Sequence, residues 1–339
     1  MQTESLDAII GLLLERSHRD FRNYKHTTLL RRTRRRMCLQ HIDRLSDYLQ
    51  LLKRHTPEVT ALAKDLLISV TDFFRDPEAW EKLAAEVVPE IVNSKTSQTS
   101  GDESKSAGQC VRVWIPGCAT GEEAYSIAML FLDELRKQRK ICKLQIFASD
   151  IDTDALQFAR VGRYPVSIEA DVSRERLSRY FSMHDGQLYY QVNNALREVV
   201  VFANQNLIAD PPFSQLDMIC CRNVLIYLKP ETQHKVIAMF HFALQPHAYL
   251  MLGTAETVGR HDHLFDTFSK RWRIFRSIGV ARPASIELPI TATSLRREMT
   301  TLRPPPQRET RLMLLAQKKL LDILAPRAVL IDRHWRILY

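Results

Sequence analysis

Glycine is scarce, 10 in 339 residues, and six cysteines stand at 38, 110, 118, 142, 220 and 221 without one C-x-x-C pair. That excludes a collagen-like or glycine-rich fibrous chain and fits neither a zinc ribbon nor a disulfide framework, so reduced thiols are expected. The histidines are scattered; His261-Asp262-His263 has no companion ligand motif, and no metal site is expected. No apolar run approaches the roughly 18–20 residues that cross a bilayer. The first ten residues, MQTESLDAII, lack the basic start and apolar stretch of a secretory signal, so a soluble, cytoplasmic protein without membrane insertion is the expectation. Disorder throughout is excluded by the 45% hydrophobic content, which is enough for a core. What remains is a basic chain: 48 Lys+Arg against 39 Asp+Glu gives a net charge of +9 and favours an acidic partner.

Residues 1 to about 92 read as a helical domain. Apolar positions recur at three- and four-residue spacing (Leu6, Ile9, Ile10, Leu13, Leu14; then Leu45, Tyr48, Leu49, Leu52). Residues 93–109 are polar and read as a flexible linker. From residue 110 to 278 short β-rich runs (Val111–Ile115, Leu144–Ala148, Val199–Phe202, Met218–Cys221, Tyr249–Leu252) alternate with amphipathic stretches (Glu122–Arg136, Asp154–Arg160, Glu231–Leu244). That alternation predicts an α/β fold with a mostly parallel, Rossmann-like sheet covered on both faces. Residues 279–310, with Pro304-Pro305-Pro306, read as a second linker, and 311–339 as a helix followed by the start of a further domain.

The first strand runs into Pro116-Gly117-Cys118-Ala119-Thr120-Gly121-Glu122-Glu123 and then a helix. Glycines in such a turn let a ligand approach the backbone, and the helix N-terminus offers free N–H groups. Ser149-Asp150-Ile151-Asp152 stands where an acidic residue takes ribose hydroxyls in nucleotide-binding sheets. A pyrophosphate would be repelled by Glu122 and Glu123, whereas the sulfonium and ammonium of S-adenosylmethionine would be attracted. The turn therefore favours an adenosyl cofactor over a purely structural role.

Four ordered motifs carry a resemblance: Gly117-Cys-Ala-Thr-Gly-Glu-Glu-Ala-Tyr-Ser126, Val70-Thr-Asp-Phe-Phe-Arg75, Ala148-Ser-Asp-Ile-Asp152 and Cys221-Arg-Asn-Val-Leu-Ile-Tyr227. Over about residues 5–278 the chain resembles the chemotaxis receptor glutamate O-methyltransferase (CheR) family. Tyr164-Pro165, Asp210-Pro-Pro-Phe213 and Gly253-Thr-Ala-Glu256 look like the branch fused to other signalling domains. Leu321–Asp332 looks like the opening of a PAS sensor domain, so the resemblance implies a longer multidomain signalling protein.

The resemblance assigns S-adenosylmethionine contacts to Thr71, Arg75, Glu123, Asp150, Asn206, Leu207, Arg222 and Asn223, with Ser69 where a family member has asparagine. It implies methyl transfer to a glutamate side chain, with S-adenosylhomocysteine as product, and Arg75 and Tyr227 are the candidate catalytic residues that orient the carboxylate. Arg75 could instead be a surface ion pair, and Tyr227 a ring closing the strand.

The most basic stretch is Arg31-Arg32-Thr33-Arg34-Arg35-Arg36. On a helix, Leu30, Thr33 and Met37 share a face that can pack inward while Arg32, Arg35 and Arg36 project elsewhere. These three are candidates for docking the acidic helical cytoplasmic region of a chemoreceptor-like protein; a solvated face and phosphate contact are the alternatives. Asp210-Pro-Pro-Phe213 also resembles the motif with which nucleic-acid amino-methyltransferases hold a flipped base. Here it precedes a strand instead of following one, so a proline-stiffened turn is the better account and no nucleic-acid partner is expected. A nucleic-acid methyltransferase and a non-catalytic cofactor-binding regulatory module remain the alternatives.

Overall fold

The computed structural model describes residues 2–96, 110–183 and 188–279. Residues 97–109, most of 279–310 and 311–339, which carry the linker readings and the PAS resemblance, lie outside them.

Four helices, α1 (Gln2–Ser17), α2 (His26–Leu39), α3 (Leu45–Arg54) and α4 (Thr56–Leu66), form a bundle. Its core is Leu6, Ile9, Ile10 and Leu13 against Leu29, Met37, Tyr48, Leu52, Leu62 and Leu66. The bundle core ends at Leu66. Helix α5 (Pro77–Lys82), a π-helical turn (Leu83–Val87) and α6 (Val88–Thr96) place Trp80, Leu83, Val87, Val88 and Ile91 in the core of the sheet instead. Helical periodicity predicts the helices but not which core they join, so the helical segment read over 1 to about 92 divides between two cores. The polar stretch read as a linker from Asn93 also begins inside α6. Lys140 donates to Asn93 Oδ1 at 2.7 Å, and Lys95 pairs with Asp217 at 2.7 Å, which anchors this polar helix end.

The central sheet has seven strands: β1 (Cys110–Pro116), β2 (Lys143–Asp150), β6 (Val200–Asn204), β7 (Leu216–Cys221), β8 (Leu244–Leu252), β9 (Phe265–Ser269) and β10 (Ile274–Ser277), in the order β6-β2-β1-β7-β8-β10-β9. The first five pair in parallel; β10 runs antiparallel to β8 and β9. Side chains alternate across the sheet with period two. Val113, Ile115, Met218, Cys220, Tyr249 and Met251 face one core with α7 (Glu122–Lys137), while Trp114, Ile219, Cys221, Leu250 and Leu252 face the other with α11 (Pro230–Ala243).

Helix α8 (Thr153–Val161) follows β2, and α9 (Arg174–Tyr180) and α10 (Asn194–Arg197) flank a small antiparallel sheet of β3 (Arg163–Pro165), β5 (Tyr189–Val192) and β4 (Phe181–Ser182). Strands of two to four residues carry too little alternation to be read from sequence. The chain passes from β1 outward to β2 and β6, then crosses back to β7 on the other side of β1. This reversal opens a crevice at the carboxyl ends of β1 and β7, where doubly wound sheets hold ligands.

Candidate active site

Every cofactor-contacting or catalytic residue expected from the sequence lines one cleft at that crevice. Thr71 and Arg75 come from the segment between α4 and α5, and Glu123 from the first turn of α7. Asp150 ends β2, Asn206 and Leu207 follow β6, and Arg222, Asn223 and Tyr227 follow β7.

The turn after β1 is tight. Gly117 has φ of 72°, and a Cβ there would lie 2.4 Å from Val224 Cγ2, so a side chain is excluded on both counts. Ala119 takes the left-handed φ of 46°, which aims its N–H at Asp150 Oδ2, 2.9 Å away. Asp150 Oδ1 accepts from Asp152 N–H at 2.8 Å. Asp152 in turn caps α8, accepting from the N–H groups of Asp154 and Ala155. The two acids of Ser149-Asp-Ile-Asp152 thus divide their work: one faces the cleft and one starts a helix. Burial raises the Asp150 carboxyl above the ordinary aspartate value, against the two N–H bonds that lower it.

Glu122 and Glu123 also part company. Glu122 is buried away from the cleft, accepting from the Thr120 hydroxyl at 2.6 Å, and burial pushes its carboxyl up to about 7. Glu123 lines the cleft; burial raises it too, opposed by Arg222. Arg222 is sealed in, with 1% of its side chain exposed. It pairs with Asp76 at 2.5 Å and Glu123 at 3.4 Å, and stacks 5.4 Å from the Trp80 ring centre. Its Nε is buried without a hydrogen-bond partner among the described residues.

Arg75 is the opposite case. It is exposed at the cleft, and among the described residues no carboxylate pairs with its guanidinium. Its backbone is fixed: Trp80 Nε1 donates to the Arg75 carbonyl at 2.7 Å, and Phe74 N–H donates to Ser126 Oγ on α7 at 3.2 Å. Tyr227 ends a short 3-10 turn, Leu225–Tyr227, and is half-buried beside the cleft. Ser69 lines the cleft with its hydroxyl 3.4 Å from Asp152 Oδ2.

The donor set fits S-adenosylmethionine: Asp150 offers carboxylate oxygens to ribose hydroxyls, Glu123 offers negative charge to a cation, and Arg75 offers its guanidinium fork to a carboxylate. A bound cation would also offset the burial that raises both carboxyls.

Residues 69–274 match the family CheR methyltransferase, SAM binding domain, and residues 4–67 match CheR methyltransferase, all-alpha domain. The chain belongs to the CheR methyltransferase family. It is a methyltransferase with an S-adenosylmethionine-binding domain. It is 32% identical over 230 residues to chemotaxis protein methyltransferase 2 of Vibrio cholerae, covering 67% of this chain and 74% of that one. With the chemotaxis protein methyltransferase of Escherichia coli it shares 31% identity over 268 residues, 76% of this chain and 85% of that one. An uncharacterized 104.1 kDa protein of Rhodobacter capsulatus, from the hypE 3' region, is 34% identical over 99% of this chain, which spans 34% of that protein's length.

In this CheR chain the junction between the two matched domains falls on the segment Leu66–Thr71, all of which lines the cleft. The bundle also supplies Tyr24, which sequence reasoning missed because it sits in the aperiodic connection between α1 and α2. Burial and the charge of Asp150 push its hydroxyl up to about 12. Asp76, the half-exposed partner of the buried Arg222, lay unremarked inside Phe-Phe-Arg-Asp-Pro.

One sequence assignment is corrected. Arg36, expected to dock a substrate with Arg32 and Arg35, turns into the bundle. Its guanidinium donates to both oxygens of Glu58, at 3.0 and 2.6 Å, and lies 3.6 Å from Asp65. Glu58 is 3% exposed, and although burial raises its carboxyl, Arg36 and the Tyr48 hydroxyl hold it below the ordinary value. A buried carboxylate needs this partner, so Arg36 is structural. Arg32 is half-buried and Arg35 exposed, and among the described residues neither is ion-paired. The Asp210-Pro-Pro-Phe213 segment is not itself a turn but an irregular stretch before β7 that follows a turn at 207–209: Asp210 Oδ2 accepts from Asn206 N–H at 2.7 Å, and Phe213 stacks on Phe147 at 4.4 Å.

Proposed function

We propose that this enzyme methylates glutamate side chains on the cytoplasmic region of a chemoreceptor-like protein, giving glutamate methyl esters. The observation that carries the reading is that the Arg75 guanidinium, without a carboxylate partner among the described residues, and the Tyr227 side chain line the same cleft as Asp150 and Glu123, in a CheR-family chain. S-adenosylmethionine supplies an electrophilic methyl group when bound.

Asp150, Glu123, Thr71, Asn206, Leu207, Arg222 and Asn223 are proposed to hold the cofactor, Arg222 chiefly by fixing Glu123. A glutamate carboxylate, with an unperturbed pKa of about 4.3, is already ionised at neutral pH, so the chain has no proton to remove. Its task is alignment, bringing reacting atoms to roughly 3–3.5 Å along one line. Arg75 and Tyr227 are proposed to hold the carboxylate there. Strong donors also stabilise the ground-state anion, so positioning outweighs charge neutralisation.

Arg32 and Arg35 on α2 are proposed to steer an acidic receptor helix. We further propose that the chain acts in the cytoplasm and belongs to the branch fused to other signalling domains; its alignment with a third of a 104.1 kDa relative supports that reading. The test is methyl transfer from labelled cofactor to cytoplasmic receptor fragments and, in parallel, to oligonucleotides. Label in the receptor fragment alone is expected; label in the oligonucleotide alone overturns the proposal.

A further inference from the structure

Glu256 follows β8, on the turn that begins at Gly253, and is 4% exposed. Its two carboxylate oxygens accept four backbone hydrogen bonds. Oε1 takes Leu225 N–H at 2.7 Å and Ile226 N–H at 3.3 Å; Oε2 takes Asn223 N–H at 3.0 Å and Gly253 N–H at 2.6 Å. No Lys or Arg pairs with it among the described residues; N–H dipoles alone offset the charge. Three of the four donors belong to the loop that carries Arg222, Asn223 and Tyr227 into the cleft. That loop has left the sheet at Cys221, and Asn223 adopts a left-handed φ of 59°, so its N–H groups have no strand partner. Gly253 completes the arrangement: a Cβ there would lie 2.8 Å from Glu256 Oε2 and 2.9 Å from Asn223 N.

We infer that Glu256 is a positioning residue whose buried carboxylate holds the 222–227 loop in the conformation that presents Asn223 and Tyr227 to the cleft. The inference rests on the reading of that cleft as the methyl-transfer site. Each oxygen serves two N–H donors, so Glu256→Gln preserves the shape but sets an amide NH2 against two donors whichever way it flips. Two of the four bonds are then lost, at least one of them from the loop (Asn223, or Leu225 and Ile226), and the loop must move.

The test combines three measurements on Glu256→Gln. Hydrogen–deuterium exchange without ligand should quicken in peptides covering 222–227 and stay unchanged in α3. Affinity for S-adenosylhomocysteine, by calorimetry, should fall roughly tenfold. Single-turnover transfer should also fall roughly tenfold, and much less when Glu256→Gln is added to Tyr227→Phe, because both changes act through one hydroxyl. Glu58→Gln, which disturbs a buried carboxylate in the bundle, should lower thermal stability without moving product affinity. Wild-type exchange in the loop, or affinity and rate within twofold of wild type, overturns the inference. Should Glu256→Gln not fold, Gly253→Ala crowds the same carboxylate and must show the same loop exchange and affinity loss, and its failure to do so also overturns it. A wild-type protein that binds no S-adenosylhomocysteine would instead sink the underlying reading of the cleft.

Discussion

The main-chain N–H of Lys25 donates to the carbonyl oxygen of Tyr227 at 2.8 Å. Lys25 immediately precedes the basic helix α2, and Tyr227 ends the loop that enters the cleft. Lys229 N–H donates to the Asn23 carbonyl at 2.9 Å, and Tyr24 bridges Leu228 antiparallel. The helix proposed to receive an acidic substrate is therefore pinned by main-chain bonds to the residue proposed to align it.

The arginines of α2 should separate by role. Arg32→Ala with Arg35→Ala should weaken the receptor fragment at low salt, less so as salt rises, with unchanged melting temperature and cofactor affinity. Arg36→Ala should instead destabilise the fold by about 3–5 kcal/mol, since it strands Glu58. Transfer assays across a salt series and denaturant titrations check both; unaltered transfer at low salt would make Arg32 and Arg35 a solvated face.

Tyr227→Phe keeps the ring and removes the oxygen. Single-turnover transfer at saturating substrate should fall about tenfold or more, roughly 1.4 kcal/mol, with cofactor affinity nearly unchanged. A rate within twofold of wild type would leave alignment to Arg75.

Asp150→Ala should weaken S-adenosylhomocysteine by about 1.5–3 kcal/mol in a calorimetric titration, the range for hydrogen bonds to a charged group. Because burial raises this carboxyl, affinity should also begin to decline at higher pH on acidification than for an ordinary aspartate. Unchanged affinity in folded Asp150→Ala would remove it from the site.

Glu122 gives a stability signature. Its carboxyl is pushed from 4.5 to about 7 by burial, so between those values the folded state holds a proton that the unfolded state has released. Stability is then greatest below about 4.5 and declines as pH rises through about 7, by on the order of 3 kcal/mol from this group alone. Glu122→Gln should remove that decline in denaturant titrations from pH 5 to 8; an unaltered slope would contradict it.

What the sequence could show depended on the range of the interactions. The five strands read from short apolar runs all form, because short runs of β-branched and aromatic residues leave a local signal even at the edge strand β6, where Val201 is exposed. Thr71, Arg75, Glu123, Asp150 and Tyr227 were legible as motif positions, and the sheet's reversal brings them together. Arg36 was misread because its partner Glu58 lies 22 residues away on another helix, and helical spacing distinguishes faces without naming what covers them. The partners of Tyr24 and Glu256 were illegible on the same ground: one reaches Leu228 and the other Leu225 across long stretches of chain.

The central claim is that the cleft directs a methyl group onto a glutamate oxygen, and the most direct measurement is the chemistry of the labelled product. Receptor fragments incubated with this protein and methyl-labelled S-adenosylmethionine should carry label that mild base releases as methanol, and Glu→Gln changes at the modified positions should abolish it. Label that resists base, as on nitrogen or carbon, would contradict the account.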